Sequence, residues 1–251
     1  MGVGKYTPND AINGDMGWRP PSIKQWTCVF RHWARCSVMY NNRINYKIFK
    51  WSYRYAVRSK KNWCYRVMTK LKECNFESYA SLDNILGKNN LIDLEKFLFD
   101  KFICEWQNRL LLQGTGNKLR TYKLYKTNFC TESYLIQNMS KRYRSSFAKF
   151  RCGVAPLKIE TGRYENKPVE DRVCFNCKNH IEDEKHVFMM CPLYADLRNF
   201  LFAEAFKYNN LFYTLSDDEK FIYLFNCQEM CQVVAKTCYN ILCRRTSILY
   251  R

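Results

Sequence analysis

Apolar side chains recur every three or four residues along most of this chain, the spacing that gathers them on one face of an α-helix. Ile23, Trp26, Val29, Phe30 and Trp33 make the first clear stripe, and Ser22 stands where a cap belongs, which predicts a helix running to about Asn41. The same periodicity predicts helices over about 43–59, 62–74 and 91–112, the last through Leu91, Leu94, Leu98, Phe102 and Trp106. "QGTGN" at 113–117 interrupts it and marks a hinge. A second basic helical region follows, with a helix over 140–151. Residues 153–172 carry Gly153, Pro156, Gly162 and Pro168 and read as loop and short strand. "SDDE" at 216–219 is a capping box ahead of Phe221, Ile222, Leu224 and Phe225, so its acidic cluster reads as a helix start rather than as catalytic carboxylates. The expected fold is mainly α, a multi-helix, bundle-like chain without internal repeats. Its expected divisions are a basic helical segment over 1–112, a basic helical connector over 113–165, and a segment over 166–251 that holds a small cysteine knuckle and C-terminal helices.

Composition supports a folded chain. At 251 residues and 47% hydrophobic, it can bury a core of its own. Aromatics at 16%, with few Gly and Pro, argue against disorder. No apolar run approaches the roughly 20 residues that cross a bilayer, and "MGVGKYTPND" lacks the features of a signal peptide. Tyr6 stands where a myristoylation signal needs Ser or Thr. The expectation is a soluble intracellular protein, nuclear or cytoplasmic. In a reducing compartment its 14 cysteines are expected to be small buried hydrophobes rather than a disulfide framework.

Charge narrows the choice of partner. The net charge is +18, unevenly distributed. Residues 1–72 hold 15 Lys and Arg against Asp10 and Asp15. Residues 118–151 hold Lys118, Arg120, Lys123, Lys126, Lys141, Arg142, Arg144, Lys149 and Arg151 against Glu132 alone. Basic helices often do no more than solvate a face. Here, however, the cations alternate with aromatics, as in "RINYKIFKWSYRYAVRSKKNWCYR" and "KLRTYKLYK", where rings can stack on bases while Lys and Arg hold phosphates. Those rings also fall at helical spacing, so many of them belong to the core. The nine cations of 118–151 are the candidate nucleic-acid contacts, for RNA, DNA or both.

"VCFNCKNHIEDEKHVFMMCP" (173–192) carries the clearest chemistry. Cys174, Cys177, His186 and Cys191 follow the pattern C-x2-C-x8-H-x4-C. Two thiolates in a tight turn, joined by an imidazole and a third thiolate, make the four-ligand set of a structural Zn²⁺, one per chain. The expected shape is a short hairpin plus helix near 170–192. A regular helix would leave Cys191 about 140° around the axis from His186. Pro192 disfavours helical dihedrals at Cys191 and can open that turn, then begin the helix "PLYADLRNFLFAEAF". His180 competes with His186 but lies only two residues past Cys177, which strains joint ligation. No strand–CxxC–helix pattern surrounds the cysteines, which argues against a thioredoxin-like pair.

Together with "KLRTYKLYKTNF", "AKFRCGVAPLKIETGRYEN", "RVCFNC" and "CPLYADLR", this motif resembles the region downstream of the polymerase in reverse transcriptases of non-LTR (LINE-like) retrotransposons. "GDMGWRPPSIKQWTCVFRHWARCSVMYNNRINYKIFKW" is similar to the thumb-side helical segment of those proteins, and the likeness extends over roughly 10–200. The resemblance implies zinc ligation by Cys174, Cys177, His186 and Cys191, and a role in holding template RNA or target DNA. It also implies a polymerase chain as a possible companion. The family's paired metal-binding aspartates in a Tyr-x-Asp-Asp turn have no counterpart; in "YADL" Asp196 stands alone. The chain is therefore expected to be a non-catalytic nucleic-acid-binding fragment. The alternative expectation is a host adaptor in which zinc is a structural staple and the basic faces meet acidic proteins.

Overall fold

The computed structural model describes residues 1–111 and 117–249, so all of the expected hinge except Asn117 lies outside the described residues. Among them the α-helices are α1 (Asn9–Met16), α2 (Pro21–Ser37), α3 (Ile44–Tyr55), α4 (Trp63–Glu73), α5 (Lys88–Leu111), α6 (Tyr122–Tyr125), α7 (Ser133–Ile136), α8 (Lys141–Arg151), α9 (Lys158–Tyr164), α10 (Ala195–Tyr208), α11 (Asp217–Asn226) and α12 (Cys231–Leu249). No strand forms among them; β pairing is confined to isolated antiparallel bridges, Met16 with Thr131 and Val173 with Ile181. The fold is mainly α, as the periodicity predicts. No helix among the described residues is long and apolar enough to cross a membrane.

Two compact units are present, one of residues 19–106 and one combining 1–18 with 107–251. In the first, α2, α3 and α4 turn their apolar stripes inward. Phe30, Trp33, Cys36, Phe49, Cys64, Val67 and Leu71 are buried together, with Trp33 edge-on to Phe49 at 5.2 Å between ring centroids. Helix α2 begins at Pro21, with Pro20 in the cap position and no side-chain cap, so Ser22 lies in the first turn instead of capping it. Proline suits that place because its fixed φ is already helical and the first turn needs no N–H. Asn62 caps α4: its side chain accepts from the Cys64 N–H at 2.7 Å and donates to the Ser52 carbonyl at 3.1 Å, tying α3 to α4.

The second unit is built on α8 and α12. Tyr125, Phe147, Phe188, Phe221 and Phe225 form a continuous aromatic core in which Phe225 stacks on Tyr125 and Phe147. Asp15 is the buried side chain by which helix α1 joins this unit, beside the Met16–Thr131 bridge and a bond from the Tyr122 hydroxyl to the Ala11 carbonyl. Asp15 is fully buried and accepts hydrogen bonds from Tyr122 and Tyr134 at 2.9 and 2.8 Å, and from the Arg151 guanidinium at 3.3 Å. Arg151 also donates to the Phe225 carbonyl at 2.8 Å and pairs with Glu132 at 3.1 Å, while its plane lies over Tyr125.

Residues 153–172, expected as loop and short strand, contain helix α9 instead. Gly153 and Gly162 act there as packing devices rather than as breakers. A side chain at Gly162 would meet Arg172 Cγ at 2.7 Å, and one at Gly153, held at φ 63°, would meet the Lys118 carbonyl oxygen at 1.6 Å. Helix α11 begins with the expected capping box: Ser216 accepts from the Glu219 N–H, and the Glu219 carboxylate accepts from the Ser216 N–H at 2.8 Å.

Candidate metal centre and basic surfaces

The cysteine knuckle starts at the Val173–Ile181 bridge. The Cys174 N–H donates to the His180 carbonyl at 2.7 Å, and the Lys178 N–H returns to the Cys174 carbonyl at 2.8 Å. Lys178 adopts a left-handed φ of 61°, which tightens the turn and turns Cys174 and Cys177 toward one centre. Asp183 accepts from the His186 N–H at 2.7 Å and starts the following turn.

His186–Met190 then forms a π-turn, in which the Cys191 N–H bonds back to the His186 carbonyl at 2.9 Å. Because this bond reaches five residues back, the turn is wider than an α-helix and brings His186 and Cys191 closer to one side, where an α-helix would separate them by about 140°. From the sequence, Pro192 alone is expected to open this turn. Cys191 is indeed extended ahead of that proline (φ −61°, ψ 122°), but the wider turn contributes the rest. Pro192–Tyr194 makes a single 3-10 turn that leads into α10.

The four side chains converge. Cys191 Sγ lies 3.9 Å from Cys174 Sγ and 3.7 Å from Cys177 Sγ, and all four potential ligand atoms fall within 4.8 Å of one another. A tetrahedral ion with metal–sulfur bonds of about 2.3 Å needs its ligand atoms roughly 3.8 Å apart. A disulfide needs about 2.05 Å. Both His186 ring nitrogens are buried without a hydrogen-bond partner, an arrangement that is costly unless a ligand takes one of them. The donor set and the orphaned imidazole therefore fit a metal ion. Burial lowers the pKa of His186 and keeps it in the neutral, ligating form. Burial also pushes the Cys191 thiol up to about 12, with the Cys174 and Cys177 sulfurs adding to it, and raises Cys174. A cation must therefore displace these protons as it binds. His180 is exposed; its carbonyl serves the turn, and its ring lies 5.5 Å from that of His186, outside the cluster.

The acidic stretch "IEDE" beside the motif anchors the knuckle. Glu182 is fully buried and accepts from Arg245 of α12 at 2.9 and 2.7 Å, and from the Lys158 N–H at 2.6 Å. Glu184, also fully buried, is clasped by Arg120 at 2.5 and 2.7 Å; burial pushes its carboxyl up, opposed by that guanidinium. Sequence reasoning missed Glu182, Glu184 and Arg245. Acidic residues standing out in a basic chain were the one visible signal.

The nine cations of 118–151 are largely engaged within the fold. Arg151 is 1% exposed at the centre of the Asp15 network. Arg120 pairs with Glu184, Lys118 with Glu160 at 2.7 Å, and the buried Lys126 with Glu132. Arg144 donates to the Gln137 and Met139 carbonyls, both at 3.1 Å. Lys123 and Lys149 are half-buried. Lys141 and Arg142 are exposed, the latter lying over the Tyr143 and Tyr239 rings. Between Asp15 and Glu73, by contrast, the chain has no acidic residue, and Arg35, Arg43, Lys47, Arg54, Arg58 and Lys61 are exposed there. Unpaired surface charge of one sign is what attracts a polyanion. No family model matches the chain, and neither does any curated protein or solved structure.

Proposed function

We propose that this protein binds nucleic acid through phosphates, is stabilised by one structural Zn²⁺ on Cys174, Cys177, His186 and Cys191, and corresponds to the part of a non-LTR retroelement reverse transcriptase that follows the polymerase. Three thiols and an imidazole, all protein-supplied, favour zinc in a closed site that leaves no position for substrate. The observation that carries the nucleic-acid reading is the acid-free tract from residue 16 to 72, with its cations exposed on the unit of residues 19–106. Ion pairing inside 118–151 moves the weight of this reading onto that unit.

The test is fluorescence anisotropy with labelled single-stranded RNA and DNA across a salt series. Each phosphate neutralised on a single strand contributes about −0.7 to the slope of log affinity against log salt, so about five contacts give a slope of roughly −3 to −4. Substituting Arg43, Arg58 and Lys61 together with Ala should flatten the slope by about 2 and weaken RNA and DNA alike. Capture of acidic proteins with no affinity for either nucleic acid at low salt would favour the adaptor alternative instead.

The second expectation is that the isolated chain extends no primer with Mg²⁺ or Mn²⁺. The one carboxylate in the family-like "YADL", Asp196, is held by both terminal nitrogens of Arg244, whose hydrogen bonds lower its pKa to about 2. It sits in the first turn of α10, where negative charge is stabilised by the helix dipole. Extension that survives purification and is lost in Asp196→Ala would overturn this.

A further inference from the structure

Helix α3 presents two stripes side by side. Ile44, Ile48, Trp51 and Tyr55 follow one another at spacings of four, three and four residues, which confines them to a band about 60° wide, and all four are exposed. The Trp51 and Tyr55 rings lie parallel, 5° apart in orientation, with centroids 5.5 Å apart. Arg43, Lys47 and Arg54 are exposed along the adjoining band, centred about 80° around the axis. The opposite side of the helix buries Phe49 against Trp33 and Trp63. The exposed rings are therefore not needed to hold α3 in place.

An exposed Trp 65% accessible beside Tyr55 at 44% loses hydration free energy with nothing in the fold in return. Such a surface marks an interaction site. Its chemistry is specific: flat, parallel π-faces bordered on one side by cations, with no acidic residue between Asp15 and Glu73. An acidic protein would engage the cations but has no particular use for parallel rings. A duplex would engage the cations but keeps its bases stacked inside. Unpaired bases stack on aromatic faces while their phosphates track an adjacent basic strip.

We infer that α3 is a platform for single-stranded nucleic acid, with bases stacked on Trp51 and Tyr55 and phosphates held by Arg43, Lys47 and Arg54. This inference rests on the nucleic-acid reading above and deepens it, by assigning strandedness and a site. Both rings are solvent-exposed, so the double variant Trp51→Ala/Tyr55→Ala keeps the buried Phe49 contacts and the fold.

The experiment uses the full chain and compares single-stranded RNA with a duplex of the same sequence, in wild type, Trp51→Ala/Tyr55→Ala and Lys47→Ala/Arg54→Ala. Removing the rings should weaken single-strand binding on the order of tenfold or more, leave duplex binding nearly unchanged, and leave the salt slope intact. Removing the two cations should make the single-strand slope shallower by about 1.4. Single-strand affinity that survives loss of the rings, or falls in step with duplex affinity, overturns the platform while leaving nucleic-acid binding standing. Wild type that binds neither nucleic acid at low salt overturns both. Self-association of wild type that disappears in the ring variant, at unchanged RNA affinity, assigns the face to a second copy of the chain.

Discussion

Cys177→Ser is expected to lower bound zinc from about one per chain to near zero and to make residues about 170–195 protease-sensitive. Cys177 is the right ligand to change because it is only half-buried, whereas Cys174 and Cys191 are packed into the core. Serine preserves its shape and removes a thiolate. Structural zinc contributes on the order of 10 kcal/mol or more of apparent binding free energy in small domains, so loss of one ligand removes the main force that closes this turn. Without the ion the knuckle must keep a cluster of neutral thiols and an imidazole with no partner for either nitrogen. The helical body should survive, since its aromatic core and the Glu182–Arg245 pair do not depend on the metal. His186→Ala should behave like Cys177→Ser, and His180→Ala should keep its zinc. Elemental analysis of protein purified under reducing conditions, paired with limited proteolysis, decides the matter. Zinc fully retained by Cys177→Ser, or absent from wild type, rejects the site.

Arg151→Ala should cost about 3–5 kcal/mol, because it leaves a buried carboxylate without its cation. Asp15 is fully buried, and the two tyrosine hydroxyls that remain cannot neutralise it. Glu132 and the Phe225 carbonyl lose a partner as well. For a chain of this size the melting temperature should fall by roughly 10 °C. Asp15→Asn combined with Arg151→Met should recover part of the loss, since replacing both members of a buried pair is far less costly than removing one. Thermal denaturation of the two variants makes the comparison. A normal melting temperature for Arg151→Ala together with weakened RNA binding would return Arg151 to the phosphate-binding role that its sequence neighbourhood suggests.

Local periodicity was enough for α2 to α5. The stripes of α2, α3, α4 and the Leu91–Trp106 run are visible because a helix repeats every 3.6 residues and its buried face must be apolar. The capping box at Ser216 was equally legible, as its two hydrogen bonds join residues three apart. So was the convergence of Cys174, Cys177, His186 and Cys191, because residues that could share one metal ion carry a characteristic spacing within one short stretch. Helix α9 was not legible: its glycine answers to Arg172, a neighbour in space, and not to the local backbone.

Charge is where reading along the chain reached its limit. The basic excess of 118–151 is plain in the sequence, yet the partners of its cations lie far away. Arg151 meets Asp15, Arg120 meets Glu184, and Lys118 meets Glu160. Whether a cation faces water or a buried carboxylate depends on which segments pack together, and no local pattern encodes that. The knuckle divides the same way: its three cysteines, His186 and Pro192 are written in one stretch of twenty residues, while Arg245, which holds Glu182 against α12, comes from fifty-odd residues further on. Composition made the chain basic and helical spacing made it α. Tertiary packing then chose which charges stay outside, because a buried charge is tolerated only beside its opposite.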